Sequence, residues 1–143
     1  MPTSAENGPQ LLVDTSVAVA LSVADHEGRV ASRAAVDGRR IGLAGHAAFE
    51  TFSVLTRLPA PARRTATAVS RLLAANFPHT RFLSPAGAAS LLTRLAGAGV
   101  SGGSVYDALV GATAVEQGVP LVTRDRRALG VYRALDVDLI VVS

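Results

Sequence analysis

Four carboxylates, Asp14, Glu50, Asp107 and Asp125, lie far apart along a chain of 143 residues; Asp14 and Asp125 stand where strands end, Asp107 where a helix begins, and Glu50 inside a mostly apolar helix. Two carboxylates about 6 Å apart at an effective dielectric near 20 repel by roughly 3 kcal/mol. Four of them gathered in one place therefore call for a cation. An all-oxygen, water-accessible site suits Mg²⁺ or Mn²⁺, and such ions serve phosphoryl chemistry by acidifying a water and stabilising a leaving oxygen. Each residue also has a purely local explanation. Ser104-x-x-Asp107 fits a capping box, Asp14 and Asp125 fit caps or turns, and Glu50 fits the margin of an apolar stripe.

The elements that must position these acids follow from periodicity and stop signals. Leu11-Leu12-Val13 reads as a buried strand ending at Asp14, with a helix over 17–23 capped by Thr15 or Ser16. Residues 30–36 read as a helix ending at Gly38, and 41–44 as a strand. Residues 45–58 form a helix stopped by Pro59, with Ala47, Ala48, Phe52 and Leu55 as its buried stripe. Further helices are expected over 61–75 and 85–96, with a brief strand Arg81-Phe82-Leu83 between them. A small-residue helix opens near Ser104 and stops at Gly118, followed by the strand Leu121-Val122-Thr123. A helix at 128–134 and a strand at 139–142 close the chain. Strands alternating with helices predict an α/β fold, a three-layer α/β/α sandwich with a mostly parallel sheet. In such a sheet, strand C-termini and helix N-termini share the edge where ligands bind, so Asp14, Asp107 and Asp125 converge on one crevice, which Glu50 joins if its helix packs beside the first strand.

Length supports one domain over residues 11–143, with residues 1–10 reading as a flexible tail rather than a signal peptide. The longest apolar segment is far short of the ~20 residues of a membrane helix. Cysteine is absent, which excludes thiolate metal sites, cysteine nucleophiles and a disulfide framework; a soluble, cytoplasmic protein is the default. All 14 basic residues are arginine, which removes P-loop and Schiff-base lysines. With four of the 11 acids set aside in a metal site, seven acids face 14 arginines, a balance that attracts a polyanion. Gly97-Ala98-Gly99-Val100-Ser101-Gly102 matches G-x-G-x-x-G but follows a helix instead of a strand, so dinucleotide binding is not expected. His26, His46 and His79 form no hydrolase motif, and the few aromatic residues give no sign of a base-stacking platform.

Taken together, Leu12-Val13-Asp14-Thr15-Ser16, Glu50 within FETFSVLTRL, Tyr106-Asp107-Ala108-Leu109-Val110 and Leu121-Val122-Thr123-Arg124-Asp125 resemble the PIN domain, most closely the VapC-type ribonuclease toxins. The resemblance runs from about Leu11 to Val142. It implies a Mg²⁺- or Mn²⁺-dependent endoribonuclease with Asp14, Glu50, Asp107 and Asp125 as its acidic quartet and Thr15 and Thr123 as supporting polar groups. A homodimer, an RNA substrate and inhibition by a cognate VapB-type antitoxin are implied with it. The alternative is a non-catalytic RNA- or protein-binding module on the same fold.

Overall fold

The structure, a computed structural model, describes residues 7–143. Its elements run β1 (Leu11–Val13), α1 (Thr15–Ser22), α2 (Arg29–Val36), β2 (Ile41–Leu43), α3 (Ala47–Thr56), α4 (Ala66–Asn76), α5 (Pro85–Arg94), α6 (Ser104–Gln117), β3 (Leu121–Thr123), a 3₁₀ turn (Arg126–Ala128), α7 (Leu129–Ala134) and β4 (Leu139–Val141). The four strands form one sheet in the order β2-β1-β3-β4, and every pairing is parallel.

Period-two alternation in β1 divides the interior into two cores. Leu12 packs with Leu121, Leu91, Ala108 and Tyr132 on one face, against α5, α6 and α7. Leu11 and Val13 point the other way, to Val17, Val36, Leu43, Phe77 and Val122, against α1, α2 and α4. All three residues of β1 are fully buried, as a strand covered on both sides requires. The chain leaves β1 for β2 on one side and crosses to β3 on the other. The switch point of the topology therefore lies between the C-terminal ends of β1 and β3.

Several expectations shift. The segment Arg81-Phe82-Leu83 does not form a strand; Arg81 makes one isolated bridge to Ala44. Its neighbours still cover the edge of β2, since His79 N–H donates to Ile41 O (3.1 Å) and Arg81 N–H to Leu43 O (3.2 Å). The ladder is broken because Leu43 N–H donates to the Thr80 hydroxyl (2.9 Å) in place of a backbone carbonyl. Helix α4 starts at Ala66, capped by Thr65, so Arg63 and Arg64 precede it. In α3 the buried stripe is Ala47, Thr51 and Leu55, with the Thr51 hydroxyl donating to Ala47 O (2.7 Å), while Phe52 is turned outward. Of the expected tail, residues 1–6 lie outside the described residues. Residues 8–10 are tied to Arg40: its Nε donates to Gly8 O (2.8 Å) and its N–H to Gln10 Oε1 (2.9 Å).

Gly42 is required by this edge. A methyl built on its Cα would overlap the His79 carbonyl and the Thr80 nitrogen, backbone atoms held by the bonds just described. Gly42→Ala is expected to cost about 2 kcal/mol through overpacking. An unchanged denaturant midpoint would show that residues 79–80 can move aside.

Candidate metal centre

Asp14 leaves the sheet directly after β1 and, at φ −88° and ψ 179°, is itself the N-cap of α1, in place of the expected Thr15 or Ser16. Its carboxylate is 3% exposed and accepts four hydrogen bonds. Ser16 Oγ (2.5 Å) and Val17 N–H (3.3 Å) donate to Oδ1, while the Thr123 hydroxyl and Tyr132 OH (3.0 Å) donate to Oδ2. Two of these hydroxyls are oriented by the chain beyond β3. Arg124 N–H donates to Ser16 Oγ (2.8 Å) and Asp125 N–H to Thr123 Oγ1 (3.0 Å), so both hydroxyl protons are directed at Asp14. Residues about 110 apart in sequence are thereby locked together at the switch point. Burial raises the Asp14 pKa, and the hydrogen bonds from Ser16, Thr123, Tyr132 and Val17 work against that rise.

The other three acids are half-buried around it. Asp107 sits in the first turn of α6, whose N-cap is Gly103; Ser104 makes no capping bond, so the capping-box alternative fails there. Asp125 caps the 3₁₀ turn by accepting from Arg127 N–H (3.0 Å), and Arg127 Nε lies 3.4 Å from the same oxygen. Glu50 lies in the first turn of α3, which is entered through Gly45 at φ +52°, a turn packed against the Thr113 hydroxyl of α6. These helix N-termini bring favourable dipole ends to the edge that carries the acids.

Charge couples the four. Burial raises the Glu50 pKa, with His46 opposing and the negative charges of Asp14 and Asp125 adding to it. Burial also raises that of Asp107, followed by repulsion from Asp125, Glu50 and Asp14, and only Arg127 opposes. A carboxyl whose pKa is raised by folding contributes stability that is full below about pH 4 and lost as pH rises through its folded value. The ion-free protein is therefore expected to lose stability from acidic toward neutral pH. Asp107→Asn should raise its melting temperature at pH 7 in EDTA by a few degrees. A lower melting temperature would mean that Asp107 is not repelled as described.

The donor set fits a hard divalent cation in kind: four carboxylates, no thiolate, and one neighbouring imidazole. Thr15 Oγ1 adds a buried hydroxyl that has no hydrogen-bond partner; it favours the ionised form of Glu50, though no hydrogen bond closes between them. In spacing the cluster is open. Among the described residues no group of three His, Asp or Glu side chains is already drawn up to hold an ion.

Two supporting groups were missed in the sequence. By itself Ser16 reads as a cap, and Tyr132 falls outside every motif of the chain. The available signal was a tyrosine within an apolar helix, whose hydroxyl must find a partner when buried. Burial and the charge of Asp14 push the Tyr132 pKa up, so it stays a donor. The aromatic expectation is also overturned. His46 and Tyr106 stack at 4.9 Å with an 18° interplanar angle, and Phe49 and Phe82 continue the row at 6.4 and 5.8 Å. Side chains from positions 46, 49, 82 and 106 meet on the surface because α3, α6 and the segment before α5 share one side of the sheet edge.

Comparison with known proteins agrees with this architecture. The PIN domain profile matches residues 11–134. Ribonuclease VapC27 of Mycobacterium tuberculosis is 42% identical over 135 residues, 94% of this chain and 98% of that one. Ribonuclease VapC40 of the same organism is 43% identical over 132 residues, 91% and 97% of the two chains. The crystal structure of FitAcB from Neisseria gonorrhoeae superposes with a TM-score of 0.65 at 19% identity, covering 91% of this chain and 96% of that one. PAE2754 from Pyrobaculum aerophilum superposes at 0.55 and 22% identity, covering 92% and 91%. The last two likenesses concern the fold alone. With the acids on the switch-point edge and relatives matched over nearly their whole length, the chain belongs to the PIN-domain family and is of the VapC type.

Proposed function

We propose that the protein is a divalent-metal-dependent endoribonuclease, the toxin of a toxin–antitoxin pair, hydrolysing RNA phosphodiester bonds. The observation that carries this reading is the electrostatic convergence of Asp14, Glu50, Asp107 and Asp125 on the crevice between β1 and β3. Asp14 and Asp107 would hold the ion, with Asp125 and Glu50 completing its shell or orienting the attacking water. Bound there, Mg²⁺ or Mn²⁺ supplies a Lewis acid for the phosphate and makes water more acidic. Ser16, Thr123 and Tyr132 fix the direction of the Asp14 oxygens, and an ion would take the place of one or more of these hydroxyl donors as the open cluster closes on it. The Thr15 hydroxyl favours the ionised form of Glu50, the form that would face an ion or its water. The arginine excess of the whole chain suits it to a polyanion, an attraction that salt screens.

A homodimer, a VapB-type antitoxin as partner and a cytoplasmic location belong to the same reading; the names of the two VapC relatives support the second of these. No helix among the described residues is long and apolar enough to cross a membrane. The test is incubation of purified protein with structured cellular RNAs, with Mg²⁺ or Mn²⁺ or with EDTA, mapping new ends. Internal cuts that require the ion are expected. RNA bound but never cut under any of these conditions would make the chain a non-catalytic module instead.

A further inference from the structure

We propose that Tyr106, backed by His46, is the platform on which an unpaired nucleobase of the RNA stacks beside the bond to be cut. The inference rests on the ribonuclease reading and adds to it a residue that selects how the substrate lies. Tyr106 immediately precedes Asp107 at the start of α6, and His46 is the N-cap of α3, one turn before Glu50. Glu50 N–H donates to His46 O (3.1 Å), so His46 is held one helical turn from that acid. Tyr106 stacks on that imidazole at 4.9 Å and 18°, which covers one ring face, yet the residue stays 52% exposed. A half-exposed aromatic ring thus stands at the start of the helix that carries Asp107. Phe49 and Phe82 are more exposed still, 65% and 54%, but they meet their neighbours at 41° and 49° and share no plane with the stacked pair.

The chemistry of the occupant follows from this placement. A phosphodiester brought to the acids carries a base on the adjoining sugar, and single-stranded RNA can splay that base onto an aromatic ring. Every base has a π-face, so such a platform favours unpaired nucleotides without reading sequence. Arginines outnumber the acids outside the cluster by 14 to seven, which suits a polyanion.

The experiment uses the full chain and a single-stranded RNA oligonucleotide carrying 2-aminopurine, with a second oligonucleotide abasic at that position. In EDTA, wild type is expected to quench the probe on binding. Tyr106→Ala should weaken binding about tenfold and lose the quench, while Tyr106→Phe should retain both. On the abasic oligonucleotide, wild type and Tyr106→Ala should bind alike. With Mn²⁺, the defect of Tyr106→Ala on the intact oligonucleotide should fall on KM and not on kcat. Unchanged binding and quench in Tyr106→Ala would overturn the platform, as would an equal loss on the abasic probe. A change in sedimentation without any change in quench would overturn it in favour of an interface between copies. Failure of wild type to cut any RNA, with the quench intact, would sink the ribonuclease reading and leave the platform standing. Cleavage without a quench difference would sink the platform alone.

Discussion

Asp14→Asn is expected to lower metal-dependent RNA cleavage by about a thousandfold or more while the fold is retained. The substitution conserves shape and removes the charge at the best-supported carboxylate of the cluster. Its neighbours can adjust: the Thr123 and Tyr132 hydroxyls that donate to Oδ2 can rotate to accept from the amide that replaces it. Val17 N–H and Ser16 keep an acceptor at the remaining carbonyl. The loss should therefore be one of chemistry, visible in single-turnover cleavage, with circular dichroism and melting close to wild type. Asp107→Asn should lose cleavage in the same way, with the ion-free melting temperature raised by a few degrees as repulsion from the other acids is relieved. Turnover retained in both variants would refute the assignment of these two residues to the ion.

Thr123→Val should damage both stability and activity. Thr123 is fully buried, and its hydroxyl links Asp125 N–H to Asp14 Oδ2. Valine keeps the shape but strands a backbone donor and removes one of the bonds that make the buried Asp14 charge tolerable. A loss of about 2–3 kcal/mol is expected from denaturant unfolding. Cleavage should fall about 10- to 100-fold, as when a group supporting a metal ligand is removed. Thr123→Ser, which restores the hydroxyl, should recover most of the activity. A valine variant as active as wild type would mean that Asp14 needs no support from β3.

Much of this was readable because local signals agree with the fold. The triplet Leu11-Leu12-Val13 ahead of Asp14, and Leu121-Val122-Thr123 ahead of Asp125, announce buried strands with acids beyond their ends, and parallel topology puts those ends on one edge. Asp107 is legible as a first-turn residue of a helix, whereas Glu50 reads as a residue inside a helix over 45–58 and reaches the first turn only because the helix begins at Ala47. The supports of Asp14 were less so, since Tyr132 and the Arg124 N–H reach the site from 118 and 108 residues away. No periodicity encodes such a meeting. In α3 helical spacing points to Phe52 as buried, whereas Thr51 fills the core once its hydroxyl bonds to Ala47 O. The strand expected at Arg81 failed through one side-chain hydroxyl, that of Thr80, taking the place of a carbonyl. The aromatic row escaped notice for the same reason as Tyr132: its members are scattered in sequence and adjacent only after folding.

The most direct test of the acidic centre is titration of Mn²⁺ into the protein in the absence of RNA, followed by calorimetry or electron paramagnetic resonance. Wild type should bind the ion at a defined site, and a variant with Asp14, Asp107 and Asp125 changed to Asn and Glu50 to Gln should bind none there. Equal Mn²⁺ binding by the two proteins would contradict the account.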